Sequence, residues 1–350
     1  MLDSHAPPPP PHARAGDALR VPAAAIGYAV GALGRRAIGR RRRPTWSARL
    51  EATVAAYRGS WSVMPRIGIL RWRNVGEALS RVRADGLRPH FTRYESGPYG
   101  IAGTWVEPPD TSGPVLLYFH GGGFAFGSFR THGVLVGALA RAARARTFAA
   151  EYRLGPEHTA PAAHQDALAA YRYLLGEGFA PHDIVLAGDS AGGTLVLGTL
   201  IALRDAGEPM PAAGVAISPW VDLSCSGASF QANAAFDFVG ERQCRLAAAS
   251  YLGPVDPRSP AVSPLFADLT GLPPLLIQAG GAEVLVDQIR AFAARAADAG
   301  VDVKLSVYDD MVHVWHLMRG ATPAGQRAID EVGAFARVRS RREPRVAVGD

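Results

Sequence analysis

Ile184-Val185-Leu186-Ala187-Gly188-Asp189-Ser190-Ala191-Gly192-Gly193 is the stretch that decides the fold. Ile184 to Ala187 is a short apolar run with the length of a buried strand. It passes straight into the Gly-Asp-Ser-Ala-Gly-Gly turn, and an apolar helical pattern begins at once, from Ala191 to Asp205. A serine held on a sharp strand-to-helix turn needs small neighbours, because the backbone there is strained and crowded. Gly188, Ala191, Gly192 and Gly193 supply them. The pentapeptide alone is weak evidence, since 39 Gly in 350 residues leave roughly 0.2 chance occurrences of G-x-S-x-G. The strand before it and the helix after it argue for a nucleophile rather than a glycine-rich turn with an idle serine.

Further out, short apolar runs at Val115–Phe119, Thr147–Tyr152, Gly214–Ile217, Pro274–Ala279 and Val303–Tyr308 read as strands. Helical patterns lie between them at His132–Ala145, Ala162–Leu175, Leu285–Ala299 and Ala324–Arg339. Strand–helix alternation with fully apolar strands means an α/β protein with a mostly parallel sheet covered by helices on both faces. Trp46 to Gly86 is helical in pattern, with Leu50, Val54, Tyr57 and Trp61 at three- and four-residue steps. Ser218 to Leu265, rich in Pro, Ser and Gly, interrupts the alternation beside strand ends and reads as a cap insertion.

The Val115–Phe119 strand runs into His120-Gly121-Gly122-Gly123. Acyl transfer builds negative charge on a carbonyl oxygen, and backbone N–H groups aimed at that oxygen stabilise it. Glycine permits the close approach. Gly121, Gly122 and Ala191 are the expected donors, with His120 and Asp189 in supporting roles. A phosphate-cradling loop is disfavoured because no G-K-[ST] follows. A serine nucleophile also needs a histidine base and a carboxylate that fixes its tautomer. In this fold class these follow the serine, acid first and then histidine. Glu283 follows the Pro274–Ala279 strand, with Asp287 as the rival acid or a supporting group. His313 follows the Val303–Tyr308 strand, with His316 as the rival base.

Taken together, these motifs resemble the hormone-sensitive-lipase-like, His-Gly-Gly-Gly family of α/β-hydrolases, the bacterial carboxylesterases. Collinear blocks carry the resemblance: Tyr118 to Phe124, Tyr152-Arg153-Leu154-Gly155-Pro156-Glu157-His158, Gly188 to Gly193, Ser218-Pro219-Trp220-Val221-Asp222-Leu223, the Glu283/Leu285/Asp287 cluster and Met311-Val312-His313. The resemblance implies an eight-stranded sheet and a helical cap built from the N-terminal segment and the insertion. It also implies hydrolysis of short to medium acyl esters by Ser190, His313 and Glu283, without metal or cofactor. The family more often has Asp where Glu283 stands, and Gly155 replaces the usual Ala.

Aromatic residues near these motifs (Phe124, Phe126, Trp220, Phe236, Phe238 and Tyr251) are candidates for an apolar substrate pocket. Amidase, deacetylase and lactonase activity on a secondary metabolite use the same triad, and a non-catalytic ligand-binding protein of this fold is the alternative of a different class.

The formal charge of +6 is unevenly placed. Residues 1–50 hold nine Arg against two Asp, so the remaining 300 carry 28 basic and 29 acidic side chains and are nearly neutral. That argues against a nucleic-acid-binding face on the folded body. Two cysteines, Cys225 and Cys244, exclude a disulfide framework. The apolar stretch Val21 to Gly34 is too short to span a bilayer, and its arginines follow it, unlike those of a signal peptide. The expectation is therefore a cytoplasmic protein without stable membrane insertion, with peripheral membrane contact through the arm and a homodimer left open. The expected domains are a disordered basic arm over 1–45, with Pro7 to Pro11 inside it, and cap helices over 46–88. A catalytic domain over 89–340 with the cap insertion at 218–265 follows, then a tail over 341–350.

Overall fold

A computed structural model describes residues 13–81, 83–94 and 100–340; the proline run and the C-terminal tail lie outside them. Its centre is an eight-stranded sheet: β1 (Pro89–Tyr94), β2 (Ile101–Val106), β3 (Val115–Phe119), β4 (Arg146–Glu151), β5 (Ile184–Asp189), β6 (Ala213–Ile217), β7 (Leu275–Gly280) and β8 (Val303–Tyr308). The spatial order is β1-β2-β4-β3-β5-β6-β7-β8. β2 pairs antiparallel with both β1 and β4, and all other pairs are parallel. Every residue of β3, β5, β6 and β7 is buried. Such strands read as continuous apolar runs because helices cover both faces.

One core layer joins the sheet to α5 (Ala162–Gly176), α6 (Ala191–Asp205) and α9 (Val286–Asp298). The opposite layer packs α4 (Phe129–Ala143) and α10 (Pro323–Arg339) around Tyr118, Val185 and Val215. The strands and helices read from the sequence fall within a few residues of these limits. Neither β1 nor β2 is among the strands read from the sequence, and β2 carries Gly103. Its missing side chain is what lets the Phe148 ring lie across β2: a Cβ there would stand 2.3 Å from that ring.

The N-terminal region corrects an expectation. Residues 15–37 are not a disordered arm but a helix, α1 (Ala15–Ala37). It packs along α2 (Ala48–Ile67), so closely at Gly59 that a Cβ there would stand 2.4 Å from the Ala24 carbonyl. Arg71 of α3 (Ile69–Leu79) donates to both carboxylate oxygens of buried Asp17, at 2.7 and 2.8 Å, which fixes the rotation of α1. The sequence suggested an arm because residues 1–20 show no apolar periodicity and the Ala-, Gly- and Val-rich stretch after them runs into clustered arginines. Tertiary packing overrides that signal. Residues 218–265 include α7 (Ser229–Ala232) and α8 (Glu241–Leu252); α8 packs against α2, and Phe238 between α7 and α8 meets Tyr57 of α2 with ring centroids 5.2 Å apart. Among the described residues, no helix is long and apolar enough to cross a membrane.

Candidate active site

Strand register brings the chemistry together. Phe119 pairs with Gly188, so the His120–Gly123 loop and Ser190 leave the sheet as neighbours. Gly280 pairs with Tyr308, so Glu283 and His313 leave from adjacent strands. The strand order reverses between β4, β3 and β5, and a crevice opens at the carboxyl ends of strands at such a point.

Ser190 sits at φ 54°, ψ −120°, a strained conformation for a residue with a side chain. The turn is held by the Ser190 N–H donating to the Ile217 carbonyl at 2.8 Å. Gly192 is needed there because a Cβ would stand 2.0 Å from the Phe119 carbonyl. Ser190 Oγ lies 2.9 Å from His313 Nε2. His313 Nδ1 lies 3.7 Å from Glu283 Oε2, an ion-pair separation that is longer than a hydrogen bond. Glu283 is fully buried, and its Oε2 accepts a 2.6 Å bond from Ser218 Oγ. Ser218 Oγ also accepts from the Val314 N–H at 3.2 Å, which ties the acid to the histidine loop. Trp46 Nε1 and Arg43 fasten that loop from outside through Asp310, each at 2.7 Å.

The rivals stand elsewhere. Asp287 Oδ2 accepts from the Ser229 N–H at 2.7 Å and supports α7 rather than a histidine. Buried His316 donates from Nε2 to Gln278 at 2.7 Å; burial pushes its pKa down to about 3, so it packs as a neutral ring.

Asp237 carries no motif, and the sequence reading missed it. Its carboxylate accepts from the N–H groups of Val284 at 2.9 Å and His313 at 3.2 Å, so it joins the acid loop to the base loop. Burial raises its pKa to about 6. Burial disfavours the His313 imidazolium, but Glu283 and Asp237 outweigh it and the pKa of His313 is raised.

Gly121 is displaced from its expected role. Its N–H donates to Asp189 Oδ1 at 3.0 Å and is therefore not free for an oxyanion. The chain turns at Gly122, φ 123°, and again at Gly123, φ 58°. Among the described residues, the N–H groups of Gly122, Gly123 and Ala191 take no partner within the protein. Asp189 supports this loop: besides Gly121 it accepts from Tyr118 and stands 3.5 Å from His132 Nε2. Burial opposes charge on His132, yet the Asp189 carboxylate prevails and raises its pKa. His120 stacks on Tyr152 at 4.3 Å and accepts the Tyr152 hydroxyl on its carbonyl at 2.7 Å. Burial lowers its pKa to about 3, in keeping with a structural role.

Two cavities meet at Ser190 and His313. The larger, about 330 Å³, is walled by Trp61, Trp72, Phe126 and Phe238 and reaches Val21 and Leu79. The smaller, about 20 Å³, is closed by Trp220, Cys244, Ala247 and Leu285. Three of the suggested pocket aromatics therefore line cavities: Phe126, Trp220 and Phe238. Phe124 and Tyr251 instead stack on each other in the core at 4.2 Å, and Phe236 lies outside under the Arg43 guanidinium. Alternation cannot tell a core aromatic from a cavity wall, which is why all six looked alike.

Residues 116–317 match the family described as the alpha/beta hydrolase fold. The chain is an α/β-hydrolase of the hormone-sensitive-lipase-like family. This hydrolase is 49% identical over 234 residues to an acetyl-hydrolase from Streptomyces hygroscopicus, covering 67% of this chain and 78% of the relative. An esterase of the bacterial hormone-sensitive lipase family superposes with a TM-score of 0.70 at 39% identity, over 94% of this chain and 99% of that one. An esterase/lipase from an uncultured bacterium gives 0.74 at 42% identity, over 78% and 92%. The hydrolase is an esterase-type enzyme, which sets aside the non-catalytic reading.

Proposed function

We propose that this hydrolase cleaves short-acyl esters, acetyl esters above all, through a Ser190–His313–Glu283 triad. Ser190 Oγ attacks the ester carbonyl as its proton passes to His313 Nε2. The tetrahedral oxyanion rests on the N–H groups of Gly122, Gly123 and Ala191. His313 returns the proton to the departing alcohol, and water repeats the sequence on the acyl-enzyme. Glu283 fixes the imidazole tautomer; the 3.7 Å gap to Nδ1 closes as the imidazolium forms, as catalytic bonds in substrate-free enzymes often do.

The observation that carries the acyl preference is the unequal pair of cavities. An ester bound at Ser190 must place one half on each side. The 20 Å³ side holds little more than a methyl-sized group, while the 330 Å³ side accepts a bulky apolar alcohol. The name of the Streptomyces hygroscopicus relative supports an acetyl-sized acyl group.

A series of nitrophenyl esters tests this. kcat/KM is expected to be highest for acetate and to fall roughly tenfold or more by octanoate, since an overfilled pocket forfeits transition-state binding. Octanoate turned over faster than acetate would overturn the assignment. Trp220→Ala, which widens the small side, is expected to move the optimum toward longer chains.

The pH profile follows from His313. Only the neutral imidazole accepts the Ser190 proton, so activity falls as pH drops through the His313 pKa. That pKa is raised, which places the acid limb above the ordinary imidazole value of 6.5. A profile flat to about pH 5 would exclude His313 as the base.

A further inference from the structure

The outward face of α1 is apolar. Leu19, Ala23, Ile26, Val30, Leu33 and Ala37 recur at four- and three-residue steps and form a single stripe on the helix. Leu19, Ile26 and Val30 are 74%, 64% and 63% exposed, so most of each side chain faces solvent. The helix cannot turn this stripe inward, because Asp17, Val21 and Ala32 are buried on the opposite side and Arg71 holds Asp17. No charged residue interrupts the chain from Val21 to Gly34.

Arginines crowd the C-terminal end of α1, Arg35 on the side turned away from the stripe and Arg40 and Arg41 in the exposed segment that follows the helix. Arg35, Arg40, Arg41, Arg42 and Arg58 line one shallow depression of about 430 Å³, floored by Ala235 and Phe236 of the cap. Arg58 Nη1 donates to the Asp237 carbonyl at 3.0 Å, and Arg42 to that of Ala235, so these two are preset. Burial lowers the pKa of Arg42, and the nearby Arg58 and Arg35 add to it, a crowding of like charge that an anion would relieve. Arg36 is taken up by Glu51 at 3.1 Å, but Arg40 and Arg41 are exposed.

We propose that this face docks on an anionic phospholipid surface, with the α1 stripe in the headgroup–acyl boundary and the exposed Arg40 and Arg41 at its end meeting lipid phosphates. An exposed apolar helix face followed by clustered arginine is the pattern of a helix that lies in a membrane interface. α1 is buried along one side and belongs to a folded cap, so it rests on the surface rather than crossing it. Charge decides against a second copy of the chain as the occupant. Two α1 helices packed stripe on stripe in parallel would bring the arginine clusters together. Packed antiparallel, they would bring Arg40 and Arg41 of each helix toward the Arg14 and Arg20 end of the other. Both arrangements are repulsive. On its inward side the same α1 sends Val21 into the wall of the larger cavity.

The experiment is flotation of the full chain with vesicles of phosphatidylglycerol mixed with phosphatidylcholine, against vesicles of phosphatidylcholine alone. The protein is expected to float with the anionic vesicles and to dissociate as salt rises. Ile26→Asp/Val30→Asp and Arg40→Glu/Arg41→Glu are each expected to weaken binding roughly tenfold or more while turnover of a soluble nitrophenyl ester stays unchanged. Phosphate at matched ionic strength is expected to displace the protein no better than chloride. Equal flotation on both vesicles, or binding indifferent to Ile26→Asp/Val30→Asp, would overturn the proposal. So would release by phosphate alone, which would assign the arginines to a free anion. A solution dimer that Ile26→Asp/Val30→Asp converts to monomer would overturn it in favour of self-association.

Discussion

Ser190→Ala is expected to lower kcat for a nitrophenyl ester by roughly five orders of magnitude, about 7 kcal/mol of transition-state stabilisation. Ser190 Oγ is the hydroxyl 2.9 Å from His313 Nε2, and it stands where both cavities meet. The substitution removes the attacking atom and leaves the strained turn intact, since alanine keeps the Cβ that φ 54° already accommodates. The free N–H groups of Gly122, Gly123 and Ala191 remain. A residual rate roughly a thousandfold above water is therefore consistent with the account. Substrate binding, read as KM or as protection against heat, is expected to change little. A loss of less than about tenfold would mean that some other group attacks.

Glu283→Gln is expected to cost roughly four orders of magnitude in kcat, because an amide leaves the imidazole in the wrong tautomer and does not stabilise the imidazolium. Glutamine preserves shape, and its carbonyl can still accept the Ser218 hydroxyl, so the fold is expected to survive. A second readout separates this role from packing. The carboxylate raises the His313 pKa, so removing its charge shifts the acid limb of the residual activity to lower pH. Asp237→Asn is the control. Asp237 meets His313 through the backbone N–H at 3.2 Å, not through the ring, so its loss is expected to be far smaller. Comparable losses for the two substitutions would mean that the acid is misassigned.

The parts of this site that a sequence displays are those fixed by strand ends. Ser190, Glu283 and His313 each follow an apolar strand by a short loop, and parallel register does the rest. The donor loop was legible as a loop but not atom by atom. His120-Gly121-Gly122-Gly123 announces free backbone, yet which N–H stays free depends on Asp189 turning its Oδ1 to Gly121 at 3.0 Å, a contact 68 residues away in the chain. Asp237 was invisible for a related reason: one carboxylate in an irregular insertion has no period and no motif. The helix α1 was misread because its composition alone marks an arm, whereas its stability comes from the Gly59 crossing and the Asp17–Arg71 pair. Cavity size, on which the proposed acyl preference rests, depends on how Trp220, Cys244 and Ala247 pack, and no linear pattern encodes it.

Activation of the Ser190 hydroxyl by His313 is the step on which the proposed chemistry turns. Covalent labelling with a serine-reactive fluorophosphonate, followed by mass spectrometry of the modified peptide, tests it most directly. Stoichiometric modification is expected at Ser190, slowed severely in His313→Ala and absent in Ser190→Ala. Modification at another residue, or labelling of Ser190 at an undiminished rate in His313→Ala, would contradict it.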